Sequence, residues 1–71
     1  MPKSLTKALE VYAEGCRVRG QCRRFRYLVT ELADGSSKLP KNTKGAAIAF
    51  KSYTSAVEVS CKNGWREGCS A

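Results

Sequence analysis

Residues 16–32, CRVRGQCRRFRYLVTEL, carry the strongest pattern in this sequence. The segment holds five arginines and two of the four cysteines, and its first acidic residue is Glu31. From Arg23 onward, side chains at alternate positions separate by polarity, with Phe25, Tyr27 and Val29 in one set and Arg24, Arg26 and Thr30 in the other. A period of two residues is typical of a half-buried β-strand. The segment therefore predicts a strand over residues 22–32 with an apolar core face and a cationic face, preceded by a short extension or turn that Gly20 and Gln21 interrupt.

The segments on either side of this strand complete a prediction of an α+β fold. Ser4 is a good N-cap, and apolar side chains follow it at helical spacing, so we predict a helix over residues 5–14 that ends at Gly15. Residues 46–51 read as a second strand, which can pair antiparallel with the first. We expect the order helix–strand–strand–helix–strand, with the helices on one face of a short antiparallel sheet.

The pattern that follows the second strand is compatible with a strand or a helix. Its β-branched residues favour a strand, whereas Ser52 as an N-cap and Asn63 with Gly64 as a terminus favour a helix. Residues 50–65, FKSYTSAVEVSCKNGW, resemble a widespread strand–helix–turn module, and an accessory subunit of respiratory complex I carries a similar run. The resemblance implies a helix over 53–63 and a short terminal strand over 65–69 that places its tryptophan over the sheet. It implies no function.

The length and charge indicate one small basic domain over residues 1–71. Thirteen basic residues against six acidic ones give a formal net charge of +7. Such a field favours nucleic acid, an anionic surface or an acidic protein as the partner. Residues 35–45 hold three lysines and no acid, and we expect them to form a mobile basic loop.

The four cysteines, at positions 16, 22, 61 and 69, allow three chemical states. No apolar run reaches membrane-spanning length and the N-terminus lacks the apolar core of a signal peptide, so we expect no membrane partner and a cytoplasmic location. A reducing compartment favours free thiols, while two disulfides or a zinc site remain alternatives. The cysteine spacings depart from those of zinc knuckles and the chain has no histidine, so we expect no metal.

Catalytic chemistry has little support in this sequence. The absence of histidine removes the most common general base. The six acidic residues form no paired-carboxylate pattern, and phosphate-binding glycine loops are absent. We therefore expect neither enzymatic activity nor a cofactor.

The best-supported function is binding of nucleic acid or of a nucleoprotein complex. Arginine and lysine grip phosphate groups, and exposed aromatic side chains can stack on bases; we expect Tyr27, Tyr53 or Trp65 to stack if exposed. Arg24 and Arg26, on the polar face of the strand, are the strongest candidates for contact. The full predicted surface comprises Arg17, Arg19, Arg23, Arg24, Arg26, Lys38, Lys41, Lys44 and Lys51.

Two other classes of function fit the composition. A short chain with no catalytic set is typical of phage or plasmid accessory proteins, which inhibit or modulate a host complex by protein–protein binding in the manner of anti-CRISPR proteins or polymerase inhibitors. Arginine suits such an interface as well as it suits nucleic acid. A secreted, disulfide-linked cationic peptide, such as an antimicrobial peptide, is the third class. It requires all four cysteines to be paired. Our expectation that the chain has no secretory leader argues against it, unless a leader was removed and Met1 added.

Overall fold

The computed structural model describes residues 3–70, and every regular element in that range is an α-helix. The elements are α1 (Lys3–Arg19), α2 (Cys22–Asp34), α3 (Thr43–Lys62) and the short α4 (Arg66–Ser70). The predicted α+β fold, with helices on one face of an antiparallel sheet, is therefore wrong. The described part of the chain is all-α, and it contains no strand.

Helix α2 occupies the segment that predicts the first strand. Its buried side chains are Cys22, Phe25, Leu28 and Leu32, and their spacing of three or four residues places them along one face of a helix. The alternation with a period of two places Phe25 and Tyr27 on the same face of a strand. In the structure Phe25 is fully buried, whereas Tyr27 is 62% exposed. In a strand, Leu28 and Leu32 would lie on the polar face with the arginines. In the helix, they complete the buried face.

Helix α3 replaces the predicted second strand and extends through the ambiguous segment. Its buried residues are Gly45 and those at positions 46, 49, 53, 56 and 60. The last five follow one another in steps of three or four residues, which is again helical spacing. The helix predicted over 53–63 is confirmed in type, but it begins at Thr43. Asn42, not Ser52, is its N-cap, because the Asn42 side chain accepts a hydrogen bond of 2.9 Å from the Gly45 N–H.

The terminal elements also differ from the prediction. The helix predicted over 5–14 is confirmed in type, but α1 continues to Arg19 and Gly15 lies inside it. The Gly15 carbonyl accepts a hydrogen bond from the Gln21 N–H (3.0 Å) at the turn into α2. The strand predicted over 65–69 is wrong, because that segment forms α4.

The core lies between α1, α2 and α3 and is centred on Phe25. Its ring meets Tyr53 edge-on at 5.6 Å between centroids, and Tyr12 at 6.3 Å. Small side chains fill most of the remaining core positions on α1 and α3: Ala13, Ala46, Ala49 and Ala56. Because alanine lets helix axes approach closely, three helices form a bundle of 34 × 21 × 17 Å around few large side chains. No helix within the described range is long and apolar enough to cross a bilayer.

All four cysteines are paired, so the expectation of free thiols is wrong. Cys16–Cys22 joins the last turn of α1 to the start of α2, and Cys61–Cys69 joins α3 to α4. The cysteines therefore cannot form the alternative zinc site, because zinc binds thiolates and not disulfide sulfurs. The C-terminal ends of α1 and α3 lie together, because the Asn63 side chain donates a hydrogen bond to the Arg17 carbonyl at 3.1 Å. The two bridges therefore lie at the same end of the bundle.

Ser60 is a polar residue placed in the core under α4. Its side chain is fully buried, and its hydroxyl has no hydrogen-bond partner in the structure. A Cβ added at Gly68 would lie 2.6 Å from the Ser60 Oγ, so α4 seals this hydroxyl from solvent by close backbone contact.

We expect Ser60→Ala to stabilise the protein by about 1 kcal/mol, because a buried hydroxyl without a partner carries an uncompensated desolvation penalty. The free energy of unfolding in urea measures the effect. Ser55→Ala, on the exposed face of the same helix, is the control and should change stability by a few tenths of a kcal/mol. A Ser60→Ala variant less stable than the wild type would show that the hydroxyl is hydrogen-bonded.

Candidate nucleic-acid interface

The helical form of α2 separates the two arginines that the strand pattern placed together. Residues in an α-helix advance by about 100° each, so Arg24 and Arg26 point about 160° apart. Both are exposed, but on different sides of the helix. The shared cationic face that was predicted for these two residues does not exist, because it depended on a strand.

A different set of side chains shares the outer surface of α2. Arg23, Arg26, Tyr27 and Thr30 are all exposed, and together they line a shallow depression of about 360 Å³. We call these four residues the α2 outer face. The Thr30 hydroxyl donates to the Arg26 carbonyl at 3.1 Å. This leaves the two guanidinium groups and the phenol ring as the groups that a ligand would meet.

The other predicted arginines lie on two separate surfaces. Arg19 and Arg24 line a depression between α1 and α2 with Tyr12 and Gly15. Arg17 faces the groove between α1 and α3, and its carbonyl accepts a hydrogen bond of 3.1 Å from the Asn63 side chain. These arginines do not extend the α2 outer face.

The predicted lysines lie apart from the arginines. Lys38 and Lys41 belong to the loop over residues 35–42, which joins α2 to α3 at the end of the bundle away from the disulfides. Lys44 and Lys51 are seven residues apart on the exposed side of α3, and this spacing places them on one helical face. The nine predicted residues therefore form several basic surfaces and not one.

The arginines of the α2 outer face are not used in salt bridges within the described chain. In residues 3–70 the structure contains a single ion pair, between Lys62 Nζ and Glu58 Oε1 at 3.3 Å. One acid does lie beside this face. Glu67 of α4 accepts a hydrogen bond of 3.1 Å from the Arg23 backbone N–H.

Glu67 acts as a cap for α2 from a distant part of the sequence. Gln21, which precedes the helix, makes no side-chain capping bond. The carboxylate of Glu67 satisfies one of the free N–H groups of the first turn, where negative charge is also favourable. It lies in a small cleft of about 70 Å³ with both outer-face arginines, Tyr53 and Ser70.

Contacts with the α1–α2 turn and α3 hold α4 in this position. Trp65 covers Gly20, where an added Cβ would lie 2.6 Å from Trp65 Cε3. Gly20 also has a φ of 70°, which favours glycine. Trp65 therefore covers a turn, and the expectation that it covers a sheet is wrong. The Cys61–Cys69 disulfide fixes the other end of α4 to α3.

Of the three aromatic candidates for base stacking, Tyr27 is the best placed. Tyr53 is buried against Phe25, and Trp65, although 42% exposed, rests on Gly20. The strand interpretation assigned Tyr27 to the core. The helical spacing of the α2 core residues was the signal that would have placed it outside.

The fold and this surface define a small, basic, disulfide-linked helical protein with an arginine–tyrosine face. No protein-family model, curated protein or solved structure matches this chain. The chemistry of its surfaces is therefore the basis for a function. Within the described residues no group of three or more potential metal ligands occurs.

Proposed function

We propose that this chain is a non-catalytic protein that binds nucleic acid through the α2 outer face. One observation supports the proposal most strongly. Two arginines without salt-bridge partners flank a tyrosine that is 62% exposed, all on one helical surface of a protein with a net charge of +7. Such a surface combines guanidinium groups that can bind phosphate with an aromatic ring that can stack on a base.

Each side chain has a distinct role in this proposal. The guanidinium groups of Arg23 and Arg26 bind phosphate oxygens through paired N–H donors. The Tyr27 ring stacks on a base, which contributes about 1–3 kcal/mol per stacked base and requires that base to be unstacked from its neighbours. We therefore expect a single strand to bind more tightly than a duplex.

We expect Arg23→Glu with Arg26→Glu to weaken binding of a fluorescent single-stranded oligonucleotide by about 100-fold at fixed salt, because two charge-assisted contacts become repulsive. The matched control is Arg19→Glu with Arg24→Glu, which makes the same change in net charge at the depression between α1 and α2. We expect the control to lose only about threefold through the weaker general field. Tyr27→Ala should weaken the single strand by about tenfold.

Equal losses in the two double variants would contradict a localised site and indicate binding by net charge alone. Wild-type affinity that stays constant between 50 and 200 mM salt would contradict phosphate contact, since each phosphate contact releases counterions. Absence of binding at 50 mM salt would overturn the proposal. A phage- or plasmid-type inhibitor of a host complex would then be the interpretation to test, by pull-down.

The paired cysteines favour a second candidate, a secreted cationic peptide that acts on anionic cell surfaces. Disulfides persist in oxidising compartments and are rare in the cytosol, so we infer an oxidising compartment in place of the expected cytoplasmic one. Alkylation of free thiols in the protein taken directly from its source tests this location. The oligonucleotide assay separates the functions when anionic vesicles are added as competitor: efficient competition by vesicles favours the secreted peptide.

A further inference from the structure

An apolar groove lies between α1, α2 and the loop over 35–42, away from the α2 outer face. Its volume is about 470 Å³, within the range of small-molecule sites. Side chains from all three segments line it: Leu5, Ala8, Leu28, Leu32, Leu39 and Pro40. The groove is continuous with the core, since Leu28 and Leu32 are core residues and Leu5 and Leu39 pack against the core cluster.

Hydrogen bonds shape the loop side of this groove. The Asn42 N–H donates to the Leu32 carbonyl at 2.8 Å, and the Ser36 N–H donates to the Leu39 carbonyl at 2.7 Å. The Ser36 hydroxyl also accepts from the Leu39 N–H at 3.0 Å. These bonds fold the loop back on α2 and hold Leu39 and Pro40 against the groove.

Positive charge is concentrated at the same loop. Lys38 and Lys41 directly flank Leu39 and Pro40, and both are exposed. Neither forms a salt bridge in the described structure. An occupant of the groove would therefore have its apolar part against leucine side chains, and one end would lie near the loop that carries these two exposed lysines.

We propose that this groove binds the acyl chain of a free, single-chain anionic amphiphile of the fatty-acid type, with its carboxylate beside Lys38 and Lys41. The groove's polar residues other than Tyr12 are Ser4 and Asn42. A hydrocarbon chain requires no hydrogen bonds, whereas an extended peptide would leave backbone groups unsatisfied against an apolar wall. The occupant is therefore a hydrocarbon chain, and the lysines select an anionic head.

The direct test is titration of the isotopically labelled protein with sodium laurate below its micelle concentration. We expect saturable shifts of the backbone amides of Leu5, Ala8 and Leu39 at one laurate per chain. Decanoate should bind about tenfold more weakly, because burying each methylene contributes about 0.8 kcal/mol and the groove is partly open. Dodecyltrimethylammonium should bind about fivefold more weakly than laurate, because it places a cation near two exposed lysines.

Variants separate the groove from general adhesion to a basic protein. Ala8→Trp fills the groove and should abolish binding, and Leu39→Glu blocks it from the loop without touching a helix. Lys38→Glu with Lys41→Glu should weaken laurate by about fivefold, since each exposed ion pair contributes little. Lys51→Glu with Lys62→Glu makes the same change in net charge elsewhere and should leave laurate binding nearly unchanged.

Three outcomes would overturn the proposal. They are shifts spread over the whole surface without saturation, equal binding of the cationic amphiphile, and full laurate binding by both Ala8→Trp and Leu39→Glu. Failure here would leave the oligonucleotide result unaffected, because the α2 outer face and the groove share no residue.

Discussion

Phe25→Ala is expected to destabilise the protein by about 3–5 kcal/mol, which would leave a domain of this size largely unfolded at room temperature. Phe25 is fully buried and its ring contacts Tyr12 and Tyr53, so its removal opens a cavity where α1, α2 and α3 meet. The surrounding alanines are too short to fill that cavity. Far-ultraviolet circular dichroism and urea unfolding measure the effect.

Tyr27→Ala provides the matched control, because it tests the helical form of α2 directly. In a strand, residues 25 and 27 would share the core face and both replacements would be severe. In the helix Tyr27 is 62% exposed, so its removal should change stability by less than about 0.5 kcal/mol. Similar large losses for the two variants would contradict the helical assignment.

Removal of the two disulfides is expected to have large and unequal effects. Cys16 and Cys22 are both fully buried, so Cys16→Ala with Cys22→Ala loses core packing as well as the crosslink. We expect about 4 kcal/mol of destabilisation from the two effects together. Cys61→Ala with Cys69→Ala should lose about 2 kcal/mol, because Cys69 is exposed and the loss comes mainly from the crosslink and little from core packing.

The two pairs should also differ in the fluorescence of Trp65, the single tryptophan of the chain. Helix α4 has five residues, too few to be stable alone. Without Cys61–Cys69 we expect α4 to detach, Trp65 to leave Gly20 and its emission to shift to longer wavelength while the bundle stays folded. Glu67 would then no longer cap α2 beside Arg23. Unchanged stability and emission in both pairs would contradict the crosslinks.

The sequence alone was sufficient to predict a small basic domain and part of its secondary structure. The helix predicted over 5–14 lies within α1, since amphipathic spacing is a local property that one segment can express. The pattern over 53–63 was compatible with a strand or a helix, and the helix that the resemblance implied there lies within α3. The prediction of secondary structure was wrong for residues 22–32, because the apolar residues there fit both the two-residue period of a strand and the 3.6-residue period of a helix. Phe25 and Val29 belong to both patterns, so the choice depended on whether Tyr27 or Leu28 was counted as core.

The candidate site was predictable in composition and not in arrangement. The arginines and lysines were evident from the residue list, but their grouping changed with the period: Arg26 pairs with Arg23 on a helix and with Arg24 on a strand. Glu67 had no signal in the sequence, because its contact with Arg23 joins positions 44 residues apart. The sequence also left the chemical state of the cysteines open, because free thiols, two disulfides and a zinc site were all alternatives.

Charge, the lack of histidine and the helical spacing within single segments follow from residue identities and near neighbours, and these properties could be read without coordinates. The cap that Glu67 provides for α2, the cover of Trp65 on Gly20, the two disulfides and the groove against the 35–42 loop could not. Each of them joins residues from different helices, turns or loops, and it forms because α1, α2 and α3 bury their apolar faces against one another. That packing determines which distant side chains come into contact. Because burial of apolar surface is non-directional, no local sequence pattern encodes those contacts.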